Sequence, residues 1–248
     1  MKPQAIQTLL SCGLALAIAS SVTAQQPAKT QSGSAAPNFA AVTTQSFGMD
    51  VVDGELRAGG PRYKALLDQS GIEFTPALGA AAVTNYPVHF RVTSIRRGET
   101  VAYNHLTAPR VAPQQKGMVA SYARGNGIVE TYEARVDGMK QNLTFAGKPE
   151  GAGDLVVEGR LTTTLAASQL GANDCGLMLQ VPGIGGVQFG AVVGIDAFGN
   201  RANGGLSYDG ELVRFTLPSA YVDNAAYPLV LDPLISTITS VNTSPAAD

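Results

Sequence analysis

Pairs of turn-forming residues punctuate residues 46–236 every ~8–15 positions, and no long stretch between them keeps a helical period. Asp53-Gly54, Asp137-Gly138 and Asp209-Gly210 each separate two short apolar runs, and Gly125-Asn126-Gly127 separates another pair. An Asp-Gly pair suits the two-residue hairpin turn, whose central residues both take positive φ. The runs themselves alternate. Val88, Phe90 and Val92 fall on one side of "YPVHFRVTSIRRGETVAYN", with His89, Arg91 and Thr93 on the other. Ile128, Glu130, Tyr132 and Ala134 oppose Val129, Thr131, Glu133 and Arg135 in the same way. A period of two is that of a strand with two distinct faces. The pattern therefore predicts an all-β protein of antiparallel sandwich type, with at most one or two short helices, the best candidate being "PSAYVDNAA". The segment "LTAPRVAPQQKG" (106–117) carries two prolines and little periodicity. It reads as a connector between an N-terminal β subdomain, 46–105, and a C-terminal one, 118–236.

Charge excludes some classes of partner. Only 15% of residues are charged, the formal net charge is −2, and no basic cluster occurs. That argues against a nucleic-acid or anionic-membrane surface. The N-terminus points to export. Lys2, the apolar "LLSCGLALAIASSV", and small residues at Val22 and Ala24 describe a signal peptide over residues 1–24, cleaved before Gln25. The apolar run falls short of the ~20 residues a membrane span needs. Cys12 lies inside the run rather than at its end, which disfavours a lipid anchor. The mature chain is thus expected to be secreted, periplasmic or held at the cell surface, without a span of its own. Residues 25–45 read as a polar lead-in. Cleavage leaves Cys175 as the lone cysteine, so no internal disulfide is available, and Cys175 reads as a small buried residue.

Motifs for chemistry are sparse. "GIGGVQFG" (183–190) has neither the spacing nor the Lys-Ser/Thr of a phosphate loop. His89 and His105 have no Cys or carboxylate at ligand spacing beside them. Glu130 and Glu133 point to opposite faces of one strand and cannot act as a catalytic pair. A serine elbow, G-x-S-x-G, is missing. No catalytic residue, transition metal or cofactor is expected. Asp196 and Asn200 around one turn, and Asp209 and Glu211 around another, are the candidate calcium ligands. Both pairs are also ordinary turn residues that bond their own backbone. Tyr63, Tyr103, Tyr122, Tyr132, Tyr208 and Tyr221 are either half-buried strand residues or a glycan-stacking surface.

"NAAYPLVLDPLIS" (224–236) is the most punctuated stretch. Pro228 and Pro233 cannot donate to a ladder, which predicts a short edge strand between them. Leu229 and Leu231 should share one face and Val230 the other. Asp232, held extended by the following proline, is expected to accept at least one backbone or side-chain hydrogen bond and pin the end of the domain. Residues 237–248 read as a linker-like tail that contributes little.

Taken together, "RYKALLDQSGIEFTPALGAAA", "PVHFRVTSIRRG", "GNGIVETYEARVDGMKQNLTF", "GAVVGIDAFGN" and "YPLVLDPLI" resemble a β-rich N-terminal module of large secreted or cell-surface bacterial proteins. In that family a "YPLxIDP"-like motif closes the module ahead of extracellular, often propeller-like repeats. Here the motif leads into "TSVNTSPAAD" instead. The resemblance spans residues 46–236 and implies export, β architecture and a structural, scaffolding or adhesive role beside other extracellular domains. It supplies no catalytic residues. A carbohydrate-active or carbohydrate-binding module, and a calcium-dependent binding domain, are the alternatives from other classes, with a surface glycan as the partner.

Overall fold

The computed structural model describes residues 47–169 and 176–239. The predicted signal peptide, the lead-in up to residue 45, Cys12 and Cys175 lie outside the described residues. In chain order the strands are β1 (Gly48–Val52), β2 (Glu55–Gly60), β3 (Tyr63–Asp68), β4 (Gly71–Pro76), β5 (Val88–Arg97), β6 (Thr100–Asn104), β7 (Gln114–Lys116), β8 (Val119–Gly125), β9 (Ile128–Ala134) and β10 (Gly138–Phe145). They continue with β11 (Leu155–Thr163), β12 (Ala166–Gln169), β13 (Leu177–Val181), β14 (Gly185–Phe189), β15 (Val193–Ile195), β16 (Arg201–Asn203), β17 (Gly205–Tyr208) and β18 (Leu212–Leu217). A single short helix, α1 (Ser219–Asn224), falls inside "PSAYVDNAA" and precedes β19 (Leu229–Asp232) and β20 (Leu234–Thr239). The all-β expectation holds.

Two antiparallel sheets form. The first runs β1-β2-β3-β4-β5-β11-β18-β17, with β6 sharing an edge of β5 beside β4. The second carries β7-β8-β9-β10, and then on the other side of β10 the strands β19 and β20, β14 and β15, and β12, β13 and β16. The inner faces meet in one apolar core: Phe90 of the first sheet lies 5.6 Å, ring to ring, from Phe189 of the second. Across the same seam the Tyr122 hydroxyl donates to the carbonyls of Asp68 and Gly71, at 2.9 and 3.0 Å.

The predicted two-subdomain boundary does not follow this pairing. Strands β1–β6 build most of the first sheet, but β5 pairs along its whole length with β11, which lies well past the 106–117 segment. The chain then returns to the second sheet, comes back once more for β17 and β18, and ends in the second with β19 and β20. The described residues accordingly fall in one compact unit. Periodicity marks where strands are; it carries no information about which sheet each one joins.

Local turn chemistry explains some registers and corrects one. Asn126 and Gly127 have φ of 51° and 69°, and this two-residue turn joins β8 to β9. Asp137-Gly138 is not such a turn. Gly138 opens β10 opposite Ser236, where a Cβ would sit 2.2 Å from the Ile235 carbonyl oxygen. Glycine is needed there for close backbone approach rather than for positive φ.

The proline-flanked stretch departs from expectation most. Leu229 and Leu231 are fully buried and Val230 is half-buried, as the alternation requires. But β19 is an interior strand, with β10 on one side and β15 on the other. It does not close the domain either. Leu231 opposite Leu143 and Leu234 opposite Lys140 are the same register, so β19 and β20 form one line along β10, interrupted at Pro233. On the far side the line changes partner. Ile235 faces Phe189 of β14, whereas Asp232 faces Val193 of β15, so four steps of one strand oppose three of the other. The extra residue is on the β14–β15 side, and Pro233, which has no N–H to lose, stands opposite it. Thr237, the first residue of the predicted tail, is buried in β20, and its hydroxyl donates to the Arg62 carbonyl at 2.8 Å.

Candidate functional site

The residues singled out from the sequence are placed in separate environments. Asp196 and Asn200 meet in the β15–β16 turn. Asp196 Oδ1 accepts the backbone N–H groups of Phe198 and Asn200, both at 2.9 Å. Its Oδ2 accepts from Asn200 Nδ2 at 2.9 Å and from the Ala226 N–H at 3.3 Å. Four donors on one carboxylate, the Asn200 amide foremost, hold Asp196 below the usual carboxylate range despite partial desolvation. The arrangement is a turn staple that also ties in the segment after α1. Asp209 does the same in the β17–β18 turn, accepting from the Glu211 and Leu212 N–H groups at 3.1 and 2.8 Å and from Arg214 at 2.9 Å. Glu211 pairs with Arg160. The two turns belong to different sheets, and no group of three His, Cys, Asp or Glu side chains suited to a metal occurs among the described residues.

Asp232 is engaged by side chains, not by the backbone. Lys140 Nζ lies 2.7 Å from its Oδ2. The Asn142 amide, turned to satisfy both its ends, donates to the Gln141 carbonyl at 3.1 Å and to Asp232 Oδ1 at 3.2 Å. Both donors sit on neighbouring β10, so Asp232 locks β19 to β10 from the outer face. The histidines stay apart in role: His105 Nδ1 is 3.0 Å from the Thr93 carbonyl, and exposed His89 lies 3.6 Å from Glu73.

The fold buries one polar cluster that sequence reasoning passed over. Alternation puts Glu130 on the same face as Ile128, Tyr132 and Ala134, and that face is the core. Its carboxylate is wholly buried. Oε2 accepts from Arg124 Nε at 2.8 Å and Nη2 at 2.6 Å. Oε1 accepts from the Tyr132 hydroxyl at 2.6 Å and Gln141 Nε2 at 2.7 Å. Arg124 also donates to the Tyr103 hydroxyl at 3.3 Å, and its guanidinium carbon stands 4.6 Å from the Tyr122 ring centroid. Burial opposes the Arg124 charge, but the Glu130 carboxylate outweighs it and holds the guanidinium above its ordinary range. Burial, then the Glu130 charge, drives the Tyr122 and Tyr132 hydroxyls well above theirs. With Tyr63 also in the core, these tyrosines form no stacking surface, while Tyr208 and Tyr221 are half-buried.

A second buried cation is consumed by architecture. Arg97, 2% exposed, donates to the Pro149 and Gly153 carbonyls at 3.0 and 3.3 Å and to Asp223 Oδ1 of α1 at 2.5 Å. It fastens the helix and the 146–154 loop to the end of β5.

One open cleft gathers unlike side chains. It has a volume of about 320 Å³ and lies on the outer face of the first sheet, where β4, β5 and β11 run side by side beneath the β3–β4 turn. Glu73, His89, Arg91 and Arg160 project into it, with Asp68 and Ser70 on the turn. Alternation puts these residues outward because Phe90 and Leu161, their neighbours in sequence, face the core. Their grouping across strands distant in sequence is what no single run could reveal. Comparison with protein-family models, with curated proteins and with solved structures finds no match.

Proposed function

We propose that this chain is an exported, non-enzymatic β module with a structural or adhesive role at or beyond the cell surface, built to stand beside other extracellular domains. One observation carries the reading: the buried charged side chains are each spent on holding elements together. Arg124 and Glu130 neutralise each other inside the core. Arg97 clamps a loop and a helix. Asp196 staples a turn. A reacting site needs such groups turned toward a substrate, with unused hydrogen-bonding capacity. The N-terminal pattern of Lys2, the apolar run and Ala24 supports export, and the resemblance to surface-protein modules supports the adhesive role.

The test is expression of the full chain in a bacterial host that exports proteins, with fractionation and mass determination. The expected product lies outside the cytoplasm and begins at Gln25. An uncleaved chain recovered from the cytoplasm overturns the reading, and a lipid-modified Cys12 at the N-terminus moves the protein onto a membrane.

A further inference from the structure

Arg91 is the anomaly of the open cleft. It stands directly opposite Arg160 across the β5–β11 ladder, with both side chains on the outer face. Like charges placed opposite each other on neighbouring strands destabilise a sheet. Arg160 has a partner in Glu211. Arg91 has neither an ion pair nor a hydrogen-bond acceptor among the described residues, and its Nε is buried in the cleft wall. A guanidinium carries a planar fork of donors matched to a carboxylate, and with Nε buried it is the terminal Nη groups of Arg91 that present donors to the cleft. The rest of the lining is mixed. Glu73, 3.6 Å from His89, and Asp68 also line the cleft, together with Ser70 and Thr162. One Asp68 oxygen already accepts the Ser70 N–H, at 2.6 Å, and the other has no partner among the described residues.

We propose that this cleft binds an acidic saccharide, with the carboxylate of a uronic acid seated on Arg91 and Arg160 and its ring hydroxyls donating to Glu73 and Asp68. The inference rests on the adhesive reading above and gives it a ligand class. The paired acids decide against a dense polyanion: Glu73 and Asp68 repel phosphate after phosphate, but they accept hydroxyl protons from a sugar that carries one carboxylate per ring. The volume sits at the lower end of the ~300–1,000 Å³ of small-molecule sites. Tyr63, Tyr103, Tyr122 and Tyr132 are in the core, so recognition here falls on charge and hydrogen bonds rather than stacking.

The experiment is calorimetric titration of the purified full chain with trigalacturonate at low salt. Parallel arms use its fully methyl-esterified form and a triglutamate peptide. Saturable binding of the free acid is expected, with affinity reduced about tenfold or more in Arg91→Gln, since a charge-assisted bidentate contact is lost. Arg91→Lys should also weaken binding, because an ammonium cannot reproduce the fork. Arg201→Gln, on exposed β16 of the second sheet, should leave binding as it is. The ester should not bind. Near-ultraviolet dichroism establishes that each variant is folded, and Arg160→Gln replaces Arg91→Gln if the latter is not. No saturable binding, equal binding of the ester, or indifference to the arginine substitutions overturns the proposal. Equal binding of triglutamate overturns the saccharide in favour of an acidic peptide. A negative titration leaves export untouched, because the mass and location of the mature chain are read separately.

Discussion

At Glu130 a carboxylate with no exposed surface is tolerated because four donors and one full positive charge reach it. Taking two ions out of water is expensive, and the cost is offset only while both remain. Glu130→Leu strands Arg124 in the core and is expected to destabilise by about 3–5 kcal/mol. Arg124→Met strands Glu130 with a similar result. The double variant should be clearly more stable than the sum of the two losses implies, with a coupling of at least about 2 kcal/mol measured by urea denaturation. Additive losses would mean that the two side chains act independently. The faces were legible: Glu130 falls in the apolar phase of β9, and Arg124 keeps the phase of Ala120 and Tyr122 in β8. Their meeting was not, because it depends on the β8–β9 register that sets Tyr122 opposite Glu130.

At the scale of an element, the line formed by β19 and β20 shows why punctuation was read correctly and placed wrongly. Proline at 228 and 233 does signal missing ladder donors, and edge strands are the commonest place to spend them. Here Pro233 sits instead at a slip where one strand passes from β15 to β14. Residues 237–239, "TIT", open a stretch that reads as a tail because it is polar, small and terminal, yet Thr237 reaches Arg62 of the opposite sheet. The expected energetics follow. Leu231→Ala, fully buried, should cost about 2–5 kcal/mol. Asp232→Ala should cost about 1–3 kcal/mol, since it takes an acceptor from the largely buried Lys140 ammonium and from the Asn142 amide. A chain stopped after Ser236 loses the pairings of residues 237–239 with β14 and the Thr237 bond, and should lose about 2 kcal/mol or more. Thermal denaturation of the three variants checks the order; a truncation as stable as the parent would return those residues to the role of a tail. The cleft was legible only in pieces, since His89 and Arg91 were seen on one face but the strands that bring Glu73 and Arg160 beside them were not.

For the whole molecule, the repeated passage of the chain between sheets makes the core common property. Tyr63 belongs to β3 of the first sheet; Tyr122 and Tyr132 belong to β8 and β9 of the second; all three are buried in the same apolar cluster. Burial drives the Tyr63 hydroxyl up to about 12, and drives the other two, helped by the Glu130 charge, further still. A phenol raised in the folded state contributes stability in full below its unfolded value of about 10, and that contribution is lost as pH climbs from there toward the folded value. Tyr122 and Tyr132 together should remove up to about 3 kcal/mol for each pH unit gained in that window. With no change of comparable sign on the acid side of pH 10 from these groups, the protein should hold steady and then unfold steeply at alkaline pH. Two independent subdomains would release Tyr63 at one pH and the pair in the second sheet at another. An interleaved fold releases all three together. Tyrosinate absorbance and far-ultraviolet dichroism, followed through the alkaline range, should therefore trace one coincident transition carrying these buried tyrosines, preceded only by half-buried ones such as Tyr208 and Tyr221. A separate, earlier loss of structure in the first sheet would mean that strands β5 and β11 hold the two halves less firmly than their full-length pairing implies.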